Sequence, residues 1–194
     1  MKSYSKKILN SLNLDIFKII SDASDDLKID TYVVGGFVRD LIINKSVKKD
    51  IDIMCVGSGI DLAKAVQEKI NPKAKVSIFK RYGTAMVTFN DYQVEFVGSR
   101  KESYSNDSRN PSVEAGDFMD DMLRRDFTIN TLAIRLNKNK FGELVDTFGG
   151  LQDLEKKIII TPSEPNKTIS DDPLRMLRAI RFACQLGFNI DQKT

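Results

Sequence analysis

The run KKDIDIMCV, Lys48 to Val56, constrains this chain more than any other stretch. Ile51, Ile53 and Val56 give it strand character, and Asp50 and Asp52 fall at i and i+2 within it. Residues two apart on a strand point to the same face, so both carboxylates project together. Side by side they repel, and near a surface the common relief is a hard divalent cation held through oxygen, with Mg²⁺ first among the candidates. Upstream, YVVGG reads as a buried strand that breaks at Gly35 and Gly36, where missing side chains let backbone N–H groups approach an anion. Phe37 to Ile43 continues as a helix with Arg39 in its first turn. There Arg39 can touch a triphosphate or fix the loop by pairing with a local carboxylate. Each half has a plain alternative: such aspartate pairs are common on solvated strands, and a Gly-Gly pair is often only a turn.

Taken together, VVGGFVRD (Val33 to Asp40) and KKDIDIMCV resemble the nucleotidyltransferases of the polymerase beta superfamily. RRDFTINTLAI (Arg124 to Ile134), VDTFGG (Val145 to Gly150) and DDPLRMLRAIRFACQLGF (Asp171 to Phe188) follow in order. They narrow the resemblance to the bacterial-type (class II) tRNA nucleotidyltransferase and poly(A) polymerase family, over Tyr32 to Phe188. The resemblance implies a mixed α+β fold: a nucleotidyltransferase palm over 1–160, with a small mixed sheet flanked by helices. The start of a helical neck domain follows over 161–194, and because family members continue further, the chain is expected to be truncated. It implies template-independent transfer from CTP and ATP to the 3′ end of tRNA (CCA addition), releasing pyrophosphate, with two Mg²⁺ ions roughly 4 Å apart. Polyadenylation of RNA 3′ ends, A-addition alone, and a non-catalytic nucleotide- or RNA-binding module are the alternatives.

The same resemblance assigns roles. Asp50 and Asp52 hold the metals, and Glu95 joins them as the third acidic member, orienting the primer hydroxyl. Gly35, Gly36 and Arg39 face the triphosphate. Arg125 and Asp126 contact the sugar, Asn130 supports sugar or triphosphate, and Asp172 and Arg175 present hydrogen-bonding edges to the base, with Arg178 in the same nucleotide-binding set. Asp171 stands where the family commonly has Glu. The residues also admit blander readings: Glu95 as an edge-strand carboxylate facing water, Arg124 to Asp126 as a charged cap, Asp172 as a helix cap. Arg175, Arg178 and Arg181 can likewise form a solvated or RNA-facing stripe. Lys80 and Arg81 are further candidates for phosphate contact.

Composition is compatible and less specific. The 194 residues are 41% hydrophobic, enough for a core, and the net charge of +3 only mildly favours a phosphate-rich partner. No apolar stretch approaches the ~20 residues that span a bilayer, so no membrane partner is expected and cytoplasmic residence is. Histidine is absent, which excludes a His general base and His-containing zinc sites and leaves the chemistry to carboxylates. Cys55 and Cys184 have no metal-like spacing and read as buried free thiols.

Apolar spacing predicts one packing helix over Ile8 to Leu27 and another over Asp61 to Ile70, stopped by Asn71-Pro72. KVSIF, TAMVTF and YQVEFVGS read as strands, the last two forming a hairpin through Asn90-Asp91, so a mixed sheet with helices on one face is expected. Ser99 to Asp121 reads as a long flexible loop. Gly149 and Gly150 read as a hinge, and Pro173 opens a helix with apolar residues at Leu174, Leu177, Ile180, Ala183 and Cys184.

Overall fold

The computed structural model describes residues 2–46, 49–71, 75–105 and 108–194. In chain order its elements are α1 (Lys2–Ser11), α2 (Asp15–Leu27), β1 (Thr31–Val34), α3 (Gly36–Ile42), β2 (Asp50–Cys55) and α4 (Gly59–Ile70). Next come β3 (Val76–Phe79), β4 (Thr84–Phe89), β5 (Tyr92–Gly98), β6 (Arg100–Ser105), β7 (Ser108–Ala115) and α5 (Phe118–Leu123). They are followed by β8 (Ala133–Arg135), β9 (Leu144–Val145), α6 (Gly150–Lys156), β10 (Ile158–Ile159), α7 (Pro165–Asp171), α8 (Leu174–Leu186) and β11 (Asn189–Ile190). They fall into two compact units: Met1–Ser99 with Ala133–Val145, and Arg100–Leu132 with Asp146–Thr194.

The first unit is built on one sheet in the order β3-β4-β5-β2-β1-β8-β9, with β2 and β5 parallel and the other neighbours antiparallel. Along β2, Ile51 and Ile53 are fully buried while Asp50 and Asp52 are exposed. The buried row continues in register through Val94 and Phe96 of β5 and Ala85 and Val87 of β4, all 0% exposed. Helix α4 covers this face with Leu62, Ala63 and Val66 buried, and α2 packs beside α4. Each large apolar side chain buried here contributes about 1.5–3 kcal/mol. A slip of β2 by one residue would drive both aspartates into the core, so this burial also fixes the register.

Two local features hold the sheet's ends. Where β2 turns into α4, the backbone crosses the end of β5 so closely that a Cβ on Gly98 would lie 2.3 Å from the Gly57 carbonyl oxygen. A Cβ on Gly59 would lie 2.8 Å from the Gly98 nitrogen. Past β8, Asn137 accepts from Thr31 N–H at 2.9 Å and donates to the Ile29 carbonyl at 2.8 Å and to Asp25 at 3.1 Å, pinning the α2–β1 connection. The expected β4–β5 hairpin is present, with Asn90 at φ 53°. Pro72, read as a helix stop, lies outside the described residues, although α4 ends at Ile70 as expected. The helix expected over Ile8 to Leu27 is two helices. Leu14 is extended (φ −90°, ψ 140°) and Asp15 starts α2 afresh, while Ile8, Leu12, Ile16, Phe17, Ile20 and Ala23 still share the core.

The second unit departs most from expectation. Much of the stretch read as a flexible loop is a hairpin, with β6 and β7 antiparallel and Arg100 opposite Ala115; Asn106 and Asp107 lie outside the described residues. Such a hairpin is held by backbone pairing, which leaves no apolar period to read. Helix α5 follows behind a reciprocal cap: Asp117 accepts from Asp120 N–H at 2.8 Å and Asp120 from Asp117 N–H at 3.0 Å. Asp146 caps α6 through both oxygens, from Gly150 N–H at 2.8 Å and Leu151 N–H at 2.9 Å. Gly149 takes the left-handed φ of 75°, and a Cβ on Gly150 would fall 2.4 Å from the Thr128 carbonyl oxygen. Of the pair read as a hinge, Gly150 is therefore a tight backbone contact in this unit.

Helix α8 starts behind Pro173 and stops at left-handed Gly187, as its sequence signals. Its buried face carries Arg175, Ala179 and Phe182, with Phe182 edge-on to Phe127 at 6.0 Å. Leu174, Leu177 and Ile180 are exposed, and so is Cys184, contrary to the expected buried thiol. Apolar period identifies a helix, not the surface that the helix faces.

Candidate functional site

In the first unit, strand register assembles the acidic residues. Asp52 lies opposite Val34 of β1 on one side and opposite Glu95 of β5 on the other. Asp50 is two residues along the same face, opposite Gln93. Neighbouring strands are about 4.8 Å apart, so the three carboxylates rise from adjacent positions on the face opposite α4. All three are exposed. Glu95 is on an interior strand, between β4 and β2, not on an edge. Val34 is the last residue of β1, so the Gly35–Gly36 turn opens beside Asp52. Gly35 has φ 70° and ψ −132°, a backbone that side chains with a Cβ avoid.

Arg39 is 7% exposed, and its Nε donates to the Asp40 carboxylate at 2.8 Å. Of its two readings, the structure shows the local ion pair, which braces the glycine turn from α3. Lys49, beside Asp50, is paired with Asp91 at 2.8 Å. Among the described residues no three or more acidic or thiol side chains are gathered closely enough to hold a metal ion by themselves. Exposed carboxylate oxygens on one open face are nevertheless donors of the kind that hard divalent ions take. Lys80 and Arg81 form an exposed turn between β3 and β4.

The remaining candidates belong to the second unit. Asp126 is 7% exposed and its carboxylate is engaged at both oxygens. Oδ1 accepts from Phe127 N–H at 2.8 Å and Asn130 Nδ2 at 2.9 Å, and Oδ2 accepts from Arg178 Nε at 2.7 Å. Arg175 is also 7% exposed and donates to the Thr168 carbonyl at 3.1 Å and the Arg124 carbonyl at 2.7 Å. Asp172 accepts from Leu174 N–H at 3.1 Å at the start of α8, as a helix-capping carboxylate does. Arg125 donates to the Asn130 carbonyl at 3.3 Å, so Arg125, Asp126, Asn130 and Arg178 are connected, while Arg175 bonds to the Arg124 backbone beside them.

Asp121 is a further member of this cluster that the sequence motifs do not single out. It is 0% exposed, and each of its oxygens receives one guanidinium: Oδ1 takes Arg124 Nε at 3.0 Å, and Oδ2 takes Arg125 Nη2 at 3.0 Å. Burial works to raise its pKa, but Arg125 and Arg124 outweigh burial and hold the carboxyl below its ordinary value. Its only signal was spacing, since Arg124 and Arg125 lie at i+3 and i+4 from it.

A mixed sheet with helices on one face and acidic strands on the other defines a nucleotidyltransferase palm of the polymerase beta kind. Residues 31–160 match the poly(A) polymerase head domain. The A-adding tRNA nucleotidyltransferase of Geobacter sulfurreducens is 39% identical over 176 residues, which cover 90% of this chain and 19% of that protein. The CCA-adding enzyme of Geobacillus sp. is 38% identical over 167 residues, covering 85% of this chain and 39% of that protein. A crystal structure of tRNA nucleotidyltransferase complexed with a primer tRNA and an incoming ATP analog aligns with a TM-score of 0.78 at 34% identity. That alignment covers 90% of this chain and 47% of the other. The chain belongs to the poly(A) polymerase and tRNA nucleotidyltransferase family, and spans less than half the length of each of these relatives.

Proposed function

We propose that this chain carries the nucleotidyl-transfer centre of an enzyme that adds nucleotides from CTP and ATP to the 3′ end of tRNA in the cytoplasm, completing CCA without a template. The observation that carries the reading is the register that sets Asp52 between the glycine turn after Val34 and Glu95. In this reading residues 1–160 are the head, and 161–194 open a helical neck.

The chemistry is attack by an RNA 3′-hydroxyl on the α-phosphate of the incoming nucleotide, with pyrophosphate leaving. Asp50 and Asp52 would hold two Mg²⁺ ions, which when bound neutralise charge on the triphosphate and on the attacking and leaving oxygens. Glu95 orients the primer hydroxyl. Backbone N–H groups of Gly35 and Gly36, braced by Arg39, take the triphosphate, while Arg125, Asp126 and Asn130 take the sugar. Asp172 and Arg175 serve the base, a carboxylate accepting from an exocyclic amine and a guanidinium donating to ring acceptors, and Arg178 belongs to the same nucleotide-binding set.

A-addition alone is the second reading, favoured by the 39% and 40% identity to A-adding enzymes of Geobacter sulfurreducens and Aquifex aeolicus. The test is incorporation by the full-length protein on tRNA lacking CCA, tRNA ending in CC, and an unstructured RNA, with CTP, ATP or both. Addition that stops after CCA on tRNA supports the first reading. A added only to the CC-ending tRNA supports the second, and long A tails on any RNA would make the activity polyadenylation. No incorporation with any combination would leave a binding module.

A further inference from the structure

We propose that Asp121 is a positioning residue for nucleotide binding: from inside the second unit it sets the directions of both Arg124 and Arg125, and so the geometry with which Arg125 meets the nucleotide. This rests on the role given above to Arg125.

The argument is one of geometry and charge. Asp121 sits on the last full turn of α5 with its carboxylate sealed from solvent. Two successive arginines would repel each other and swing freely, because each guanidinium ends a long, rotatable stem. One buried carboxylate ends that freedom for both. Arg124 reaches Oδ1 through Nε and Nη2, and Arg125 reaches Oδ2 through Nη2 at 3.0 Å and Nε at 3.3 Å. The Arg125 fork is then completed by Nη1, which donates to the Asn130 carbonyl at 3.3 Å. Each arginine side chain keeps slightly under a fifth of its surface open, 19% for Arg124 and 18% for Arg125.

The charge count completes the case. One carboxylate balances one of two guanidinium groups, so the trio keeps a net positive charge in a fixed place. A fixed charge needs no reordering when an anionic ligand arrives, which is how preorganised donors gain their advantage. Arg124 is tied in further, since its carbonyl oxygen accepts from Arg175. The clamp therefore also holds the backbone from which Arg175 takes its own orientation.

The test is steady-state incorporation by the full-length protein carrying Asp121→Asn, Asp121→Glu, Arg125→Ala, or both Asp121→Asn and Arg125→Ala, assayed at a temperature where melting curves show each variant folded. Asp121→Asn keeps the shape and removes the charge. It is expected to lower kcat/KM for the nucleotide by about tenfold or more while leaving KM for the RNA unchanged, with partial recovery in Asp121→Glu. In the Arg125→Ala background the same change is expected to cost little more, because the residue it positions is gone. If Asp121→Asn lowers only the melting temperature, or its kinetic loss is undiminished in the Arg125→Ala background, the positioning role is overturned. If Arg125→Ala itself leaves nucleotide use intact, the reading of Arg125 fails and the proposal falls with it.

Discussion

Arg178 and Asp126 form an ion pair that joins α8 to the RRDFTIN segment: Nε donates to Oδ2 at 2.7 Å, and Nη2 lies 2.6 Å from the same oxygen. Asp126 is buried, so removing its charged donor leaves a carboxylate short of partners. Arg178→Ala is expected to lower stability by about 1–3 kcal/mol, toward the lower end because the Arg178 side chain is 43% exposed. Urea denaturation measures this. If Asp126 reads the sugar, the same variant also narrows the preference for ATP over dATP, and an unchanged preference would separate the pair from sugar recognition.

Asp52 is exposed, so Asp52→Asn should leave the melting temperature nearly unchanged. Mg²⁺-dependent binding of CTP and ATP is expected to weaken by more than about a hundredfold, since even outer partners of a metal site cost 10–100-fold. Isothermal titration with and without Mg²⁺ checks it. Equal affinity in wild type and variant would remove Asp52 from the metal site.

At the crossing of the β2–α4 turn over β5, Gly98→Ala forces a methyl group to 2.3 Å from the Gly57 carbonyl. The backbone must move, at a cost of about 1–3 kcal/mol. Gly83→Ala is the control: no atom lies within 4 Å, and only its φ of 66° opposes the change, for about 1 kcal/mol. Thermal melts of the two variants should rank them in that order.

The clamp at Asp121 carries its own pH signature. Its folded pKa lies below the ordinary 3.8, so its contribution to stability is complete above that value and is lost as pH falls through the lower folded value. The stability gap between wild type and Asp121→Asn should hold steady from about pH 8 to 5 and close below about pH 4. Denaturant titrations across that range measure the gap.

Burial, helped by the negative charge of Asp61, pushes the Cys55 thiol up to about 12, whereas Cys184 is exposed on α8. A thiol reagent at pH 8 should therefore modify one cysteine in the folded protein and the second only on unfolding. Cys184→Ser should abolish the fast reaction; a fast reaction that survives would mean that Cys55 is reached.

Period-two alternation made the acidic strand legible, because Ile51 and Ile53 specify which way Asp50 and Asp52 must point. The partner of Asp52 was less so: alternation places Glu95 on a face, while the parallel pairing of β2 with β5 is a long-range choice that no local pattern encodes. On α8 the same kind of pattern misled. Leu177 and Ile180 look like a core stripe, yet the face that packs bears Arg175, whose charge is met by the Thr168 carbonyl nearby and the Arg124 carbonyl far back in the sequence. Asp121 was invisible for a similar reason, since spacing suggests a surface pair and only the folded chain shows it sealed.

The order of strands also sets a clock for the growing chain. β1 lies between β2 and β8, and its pairing with β8 joins Val34 to Ala133 and Tyr32 to Arg135. At 5–20 residues per second, roughly 5–20 s pass between synthesis of these two segments. During that interval β2 can already cover one side of β1, but the other side is a bare edge in the middle of the future sheet. A nascent chain stalled before Ala133 would thus expose an apolar strand to whatever other strand it meets.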